Sequence, residues 1–116
     1  MKVLLIINGP AYGSDETFNA VRLAVALSKR DGVGVQVFLM GDAVTCAVEG
    51  QKTPDGYYTL DRMLKGLVRA GAEIGCCGTC LDARGLREDQ LVGGAPRSTM
   101  EALASWTLEA DKVLVF

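Results

Sequence analysis

The stretch Lys2-Val3-Leu4-Leu5-Ile6-Ile7 decides the fold class of this 116-residue chain. After Lys2 the stretch is continuously apolar and partly β-branched, which is typical of a strand buried on both faces of a parallel sheet. Asn8-Gly9-Pro10 ends the strand, and Ser14 is predicted to cap a helix that runs to about Arg30. The chain therefore begins with a β–α unit.

The remaining segments continue the alternation. Helix caps are expected at Asp42, at Thr59 and at Ser98, where Ser98-Thr99-Met100-Glu101 forms an S-x-x-E capping box. The segment Leu86–Gly94 is assigned only as a loop, with a strand possible at Leu91-Val92. The other predicted strands and helices are Val33–Met40 (strand), Asp42–Glu49 (helix), Thr59–Ala70 (helix), Ala72–Cys77 (strand), Ser98–Glu109 (helix) and Lys112–Phe116 (strand). This order predicts a single α/β domain over residues 1–116 with a mostly parallel sheet.

The composition and net charge of the chain favour some classes of protein and argue against others. Hydrophobic residues make up 49% of the chain and the mean hydropathy is +0.22. For a small domain this composition favours a homo-oligomer that covers apolar surface. A net charge of −2 without a run of like charge argues against a nucleic-acid or membrane partner. No apolar run approaches the length of a signal peptide core or a membrane span, so a cytoplasmic protein is expected.

Residue types also exclude several kinds of site. The chain has four cysteines and no histidine, which removes Ser-His-Asp and Cys-His catalysis and every histidine-bearing metal site. The first loop, with Gly9 and Gly13, matches neither G-x-G-x-x-G nor a Walker loop. We therefore expect no cofactor and no resident metal, and sulfur chemistry becomes the main candidate.

Three of the four cysteines lie in the stretch Cys76–Gly85, between a predicted strand and a predicted helix. In open parallel sheets, sites form at the carboxyl ends of the strands. Thr79 is predicted to be the N-cap of the helix, with Asp82 completing a capping box. A cysteine just before a helix N-terminus is placed to become a thiolate, because backbone N–H groups point toward it.

The motif Cys77-Gly78-Thr79-Cys80 is compatible with three chemistries. A structural zinc site would need four ligands, but Cys76 has poor geometry beside Cys77, and Cys46 is distant in sequence. A thioredoxin-like dithiol would cycle through a Cys77–Cys80 disulfide. A sulfur carrier would hold a sulfane sulfur on one cysteine as a persulfide and pass it to a partner thiol.

The neighbours of Cys77 receive separate interpretations. Cys76 precedes it on a strand, so the two side chains point to opposite faces and Cys76 is assigned to the core, as is Cys46. Arg84 is expected either near the Cys77 anion, which it would stabilise, or bonded to a carbonyl at the helix end. The sequence leaves these two alternatives open.

Several separated stretches resemble the DsrE/DsrF-like sulfur-relay family, and its YchN-like branch in particular, along nearly the whole chain. The matching stretches are Asn8-Gly9, Tyr12-Gly13-Ser14, Phe38-Leu39-Met40, Asp42-Ala43-Val44-Thr45, Gly50-Gln51-Lys52, Cys77-x-x-Cys80-x-Asp82-x-Arg84-Gly85, Trp106-Thr107-Leu108 and Ala110-Asp111-Lys112-Val113-Leu114. The resemblance implies a three-layer α/β/α sandwich with a mainly parallel five-stranded sheet. It also implies assembly as a trimer, or as a hexamer of two trimers.

The resemblance further implies a sulfurtransferase-like carrier that exchanges sulfur with donor and acceptor proteins. The family pattern places the persulfide-forming cysteine on Cys77, and the YchN-like form suggests that Cys80 discharges or protects it. Thr79, Asp82 and Arg84 are expected to support this pair, and Asn8, Tyr12 and Lys52 are weaker candidates for a pocket. A dithiol oxidoreductase and a non-catalytic oligomeric binding module remain the alternatives.

Overall fold

Five parallel strands form one sheet in the computed structural model, which describes residues 1–116. The strands are β1 (Lys2–Ile7), β2 (Gly34–Leu39), β3 (Glu73–Cys77), β4 (Arg97–Ser98) and β5 (Lys112–Val115). Their order in the sheet is β4-β3-β2-β1-β5, and every neighbouring pair is parallel. The expectation of a mainly parallel five-stranded sheet is confirmed.

Helices cover both faces of this sheet. They are α1 (Asp15–Ser28), α2 (Leu60–Arg69), α3 (Gly78–Ala83) and α4 (Met100–Glu109), with 3-10 segments at Gly41–Ala47 and Glu88–Gln90. The chain steps in one direction from β1 to β4 and then returns past β1 to β5, so right-handed connections place α1 and α2 on one face and α4 on the other. This is the expected α/β/α sandwich, and none of its helices is long and apolar enough to cross a membrane.

The core lies on both faces of β1 and β2. Leu4, Leu5 and Ile7 of β1 are fully buried, which explains the continuous apolar run at the start of the chain. On the α4 side, the ring of Phe38 meets the ring of Trp106 edge to face, with centroids 6.0 Å apart. Burial of each large side chain contributes roughly 1.5–3 kcal/mol to folding.

The predicted helix caps agree with the structure in position for α1 and α2 but not for the 3-10 segment after β2. Ser14 and Thr59 stand at the N-cap positions of α1 and α2, but neither side chain bonds a helix N–H. The prediction of Asp42 as a cap is wrong, because the cap of the 3-10 segment is Met40, two residues earlier, and the Asp42 carboxylate accepts instead from Arg84.

The region of β4 is where the sequence prediction fails most. Ser98 is not the N-cap of α4: it lies in β4, and Thr99 is the cap, its Oγ1 accepting the Ala102 N–H at 3.1 Å. The strand suggested at Leu91-Val92 is reduced to an isolated antiparallel bridge between Leu91 and Val48. A two-residue strand such as β4 has no periodicity of its own, so only its pairing with β3 defines it.

Candidate active site

Cys77 ends β3 and is also the N-cap residue of α3. The cap predicted at Thr79 is therefore wrong: the helix begins at Gly78, and Thr79 lies in its first turn. The strand leads directly into the helix because Cys77 pairs with Ser98 of β4 up to the strand's last residue. Cys77 thus stands at the carboxyl edge of the sheet, as the sequence predicted.

A cleft of about 270 Å³ opens beside Cys77. Phe38 contributes an apolar wall from β2, and Met100 contributes another from the first turn of α4. The Cys77 side chain lines this cleft and is largely covered, with 8% of the residue exposed. The residues that line the cleft are Phe38, Cys77, Gly78, Thr79, Arg97, Ser98, Thr99, Met100 and Glu101.

The surroundings of the Cys77 sulfur favour the thiolate. Partial burial raises the pKa of Cys77, but hydrogen bonds from the side chains and backbone N–H groups of Cys80 and Thr79 outweigh burial, and the pKa lies below its usual range. The Thr79 hydroxyl is 3.3 Å from Sγ. A thiol placed in this way ionises more readily than an ordinary cysteine, and the thiolate is the nucleophilic form.

Cys80 faces a different part of the molecule. Its Sγ accepts the backbone N–H of Gly41 at 3.1 Å, at the start of the 3-10 segment that follows β2. Partial burial and the hydrogen bond to Cys77 raise the pKa of Cys80, against the lowering effects of the Gly41 N–H and the Arg84 charge. The motif therefore pairs an acidic thiol, Cys77, with a proton-holding thiol, Cys80.

Arg84 does not reach the Cys77 cleft. Its guanidinium donates to the Asp42 carboxylate at 2.8 and 3.1 Å and to the Cys80 carbonyl at 3.0 Å. Of the two alternatives that the sequence left open, bonding to a helix-end carbonyl is the one observed. The positive charge of Arg84 acts on Cys80 and ties α3 to the 3-10 segment.

Arg97 is the basic residue beside Cys77, and the sequence interpretation missed it. Its guanidinium donates to both carboxylate oxygens of Asp82, at 2.7 and 2.8 Å. This bond lowers the pKa of Asp82 and raises that of Arg97. Asp82, expected to complete a capping box, instead ties α3 to β4. No local pattern pointed to Arg97, because β4 is recognisable only from its pairing.

The other two cysteines belong to the core, as predicted. Cys46 and Cys76 are fully buried, and desolvation raises the pKa of each to about 12. The Cys76 thiol donates to the Ala95 carbonyl at 3.5 Å, away from the cleft. All four cysteines are free thiols, and no group of three or more metal-ligating side chains is assembled.

The three weaker pocket candidates do not join Cys77 within the chain. The Asn8 amide donates to the Phe116 carbonyl, and the Tyr12 hydroxyl donates to Gln51 and accepts the Leu60 N–H. Lys52 lines a separate polar cleft of about 330 Å³ next to the N-terminus of α2.

Comparison with known proteins agrees with this architecture. The model of the DsrE/DsrF-like family, a sulfur-relay-related family, matches residues 1–116. Protein YchN of Escherichia coli K12 is 41% identical over 99% of this chain and 98% of its own. MJ0989 of Methanocaldococcus jannaschii, an uncharacterized protein, is 34% identical over the full length of both chains.

Solved structures give the same result. The crystal structure of E. coli YchN superimposes with a TM-score of 0.93, covering 99% of this chain and 98% of that one. MTH1491 of Methanobacterium thermoautotrophicum, at 14% identity and a TM-score of 0.78 over 99% of this chain and 98% of its own, shares the fold. The match over the whole chain, the high identity and the common sheet lead to one conclusion: this chain belongs to the DsrE/DsrF-like family and resembles its YchN members.

Proposed function

We propose that this protein is a sulfur carrier in which Cys77 takes up a sulfane sulfur as a persulfide and passes it to a partner thiol. The observation that carries the proposal is the Cys77 thiol itself, which lines a cleft and has hydrogen bonds that favour its anion. Membership of a sulfur-relay-related family supports the same chemistry.

The transfer needs no oxidant or reductant. The Cys77 thiolate attacks the outer sulfur of a donor persulfide, the sulfur–sulfur bond of the donor breaks, and the donor leaves as a thiolate. The thiolate of an acceptor then attacks the outer sulfur on Cys77, which releases the Cys77 thiolate unchanged. The lowered pKa of Cys77 assists both steps, because it supplies the nucleophile first and a good leaving group afterwards.

Cys80 has a supporting role in this proposal. Its raised pKa keeps it protonated, so it donates a hydrogen bond to the anion on Cys77. Arg84 and the Gly41 N–H hold Cys80 in place from the other side. Cys80 is thereby positioned to discharge or protect the sulfur carried by Cys77.

We further propose that the protein works as a homo-oligomer in the reducing cytoplasm. Helix α4 and edge strand β5 expose apolar side chains, among them Leu108 with 88% of its surface exposed and Val115 with 66%. An edge strand with exposed apolar residues is a surface that proteins usually cover. A second copy of this chain is the occupant that we favour, in a trimer or hexamer that meets donor and acceptor proteins at the Cys77 cleft.

Transfer through the protein tests the proposal. The protein is loaded with ³⁵S from labelled cysteine by a cysteine desulfurase, separated from the donor and mixed with a thiol acceptor such as reduced glutathione. We expect the label to move to the acceptor from wild type and from Cys46→Ser, and not from Cys77→Ser. Label that never leaves the wild-type protein, or that leaves Cys77→Ser equally well, would contradict a carrier role.

The pairing of Cys77 with Cys80, in which each thiol shifts the pKa of the other, favours a second candidate, a dithiol that cycles through a disulfide. This alternative predicts the loss of two hydrogen masses on mild oxidation and a measurable reduction potential. It also predicts that Cys77→Ser and Cys80→Ser abolish activity equally, whereas the carrier mechanism makes Cys77 the essential cysteine.

A further inference from the structure

We propose that Arg97 is a specificity-determining residue of the cleft: held by Asp82 and admitted by the bare backbone of Gly78, its guanidinium makes Cys77 react preferentially with anionic sulfur compounds. The reacting species would be persulfide anions and related sulfane-sulfur anions. The proposal rests on the proposed function for its biological meaning, but its test needs no sulfur donor.

The position of Arg97 follows from the sheet. Strand β4 pairs with β3 so that Arg97 stands opposite Cys76 and Ser98 stands opposite Cys77. The Arg97 backbone N–H is fixed by the Glu88 carboxylate at 2.7 Å, which sets the strand's position. From there the Arg97 side chain extends to the start of α3 and lines the cleft together with Cys77.

The guanidinium has a defined orientation. Two parallel hydrogen bonds to Asp82 hold it as a fork, a geometry that lysine cannot reproduce. Because Asp82 lies on α3 and Arg97 on β4, the bond also ties this helix to the edge strand. The charge of Arg97 is partly balanced by Asp82, so its effect on Cys77 is a local one.

Gly78 makes this approach possible. A Cβ built on Gly78 would lie 2.9 Å from both Cζ and Nε of Arg97, closer than real side chains approach one another. The contact is with the far end of a flexible side chain, so an alanine at this position would displace the guanidinium rather than the backbone. Because Gly78 has no side chain, the guanidinium of Arg97 can lie against the start of α3.

Arg97 is the only basic residue that lines the cleft. The other titratable groups near Cys77 are the buried thiol of Cys76, Cys80 and Asp82 on α3, Glu101 on α4 and Glu88, which bonds the Arg97 backbone. Each carboxylate carries negative charge and Cys80 is a protonated thiol, so a preference for anions has to come from Arg97. Arg84, the alternative cation, does not line the cleft, and its guanidinium is directed to Asp42 and the Cys80 carbonyl.

The test compares two alkylating agents of similar size, anionic iodoacetate and neutral iodoacetamide. Rates at Cys77 are measured by peptide mapping on the full-length protein, and the iodoacetate/iodoacetamide ratio reports the local positive charge. We expect Arg97→Met to lower this ratio about threefold, as expected for one partly screened charge. Arg69→Met, an exposed α2 position outside the cleft, should leave the ratio unchanged.

A double-mutant cycle tests the role of Gly78 separately. Gly78→Ala should lower the ratio in the wild-type background and have no further effect in Arg97→Met, because the displaced group is then missing. In wild type, added salt should lower the ratio toward the value of Arg97→Met. A ratio that ignores salt in wild type, or survives Arg97→Met, would overturn the proposal. So would an equal effect of Gly78→Ala in both backgrounds.

The outcome of the alkylation-ratio experiment is independent of the outcome of the sulfur-transfer experiment. If Cys77 never carries sulfur, the ratio experiment still reports whether Arg97 selects for anions. If Arg97 has no effect on the ratio, sulfur transfer through Cys77 remains open to its own test.

Discussion

The Oγ1 atom of Thr79 lies 3.3 Å from the Sγ atom of Cys77, within the first turn of the helix that Cys77 caps. The N-cap position expected for Thr79 is therefore occupied by Cys77, and the Thr79 hydroxyl contacts the Cys77 sulfur. This contact places a neutral donor beside the sulfur without adding a charge. It makes Thr79 the most direct means of changing the reactivity of Cys77 while leaving its position unchanged.

Replacing Thr79 with valine should slow the reactions of Cys77. The substitution keeps the shape of the side chain and removes the hydroxyl donor, so the pKa of Cys77 rises and less thiolate is present at neutral pH. One hydrogen bond of this kind is worth about 1 kcal/mol, which corresponds to about a fivefold slower alkylation at pH 7. The pH dependence of iodoacetamide alkylation at Cys77 measures the effect.

Thr53→Val is the matched control. The Thr53 hydroxyl pairs with that of Thr59 in another loop, at 2.8 Å, and is absent from the Cys77 cleft. Its alkylation profile should coincide with that of wild type. Identical profiles for all three proteins would show that the Thr79 hydroxyl does not influence the Cys77 sulfur.

The buried thiols should make the protein sensitive to alkali. Burial raises the pKa of Cys46 and of Cys76 from 9.0 to about 12, so between these pH values both thiols ionise in the unfolded chain but not in the folded one. Stability is unaffected below pH 9 and falls as pH rises toward 12, by about 1.4 kcal/mol per pH unit for each thiol. Urea unfolding at pH 8, 9, 10 and 11 measures this slope.

Cys46→Ala should show a shallower decline of stability with pH than wild type, because one of the two thiols is removed. Its stability at pH 7 should be lower by about 1 kcal/mol, since the substitution removes packed atoms from the core. Parallel pH profiles for the two proteins would refute the assignment of the alkaline loss to this cysteine.

Asp61 should contribute to the free energy of unfolding although it does not line the Cys77 cleft. Its Oδ2 accepts the backbone N–H groups of Gly50 and Gln51, at 3.0 and 3.2 Å, and the residue is only 3% exposed. Asp61→Ala leaves both N–H groups without this acceptor and should cost about 2–3 kcal/mol in the free energy of unfolding. Urea denaturation gives the value directly.

A carboxylate in the same region provides the comparison. Asp55 is exposed, and Asp55→Ala should change the stability by no more than about 0.5 kcal/mol. Equal losses for Asp55→Ala and Asp61→Ala would mean that the buried hydrogen bonds of Asp61 are not what stabilises the loop.

Charges on the exposed apolar face should dissociate the proposed oligomer. We expect the combined variant Leu108→Lys and Val115→Lys to have the mass of a monomer in light scattering, while wild type has the mass of a trimer or hexamer. The matched control is Leu23→Lys, an exposed apolar position on α1. A monomeric wild type, or a double variant with unchanged mass, would contradict this assembly.

Features that follow from a local sequence pattern, such as the bounds of β1 and the burial of two cysteines, were predicted correctly. The β1 boundaries agree with the apolar run because a strand buried on both faces has a simple signature. The burial of Cys46 and Cys76 followed from apolar neighbours and from strand alternation.

Features that depend on tertiary contacts were missed or misplaced. Thr79 and Ser98 both resembled helix caps, but the cap of α3 is Cys77, two positions earlier, and the cap of α4 is Thr99, one position later, because Ser98 is paired with Cys77 in the sheet. Arg97 reaches the cleft through β4, which only its partner strand defines. Arg84 has the sequence spacing of a site residue, yet the fold directs its side chain to Asp42.

The intact mass of the protein after incubation with a cysteine desulfurase and cysteine tests the central claim most directly. Wild type, Cys77→Ser, Cys80→Ser and Cys46→Ser are compared under the same conditions, with and without a reductant that removes sulfane sulfur. We predict one added sulfur atom on wild type, Cys80→Ser and Cys46→Ser, removed by the reductant, and no added sulfur on Cys77→Ser. Unchanged mass of the wild-type protein, or a sulfur adduct that persists in Cys77→Ser, would contradict the assignment of Cys77 as the sulfur-carrying residue.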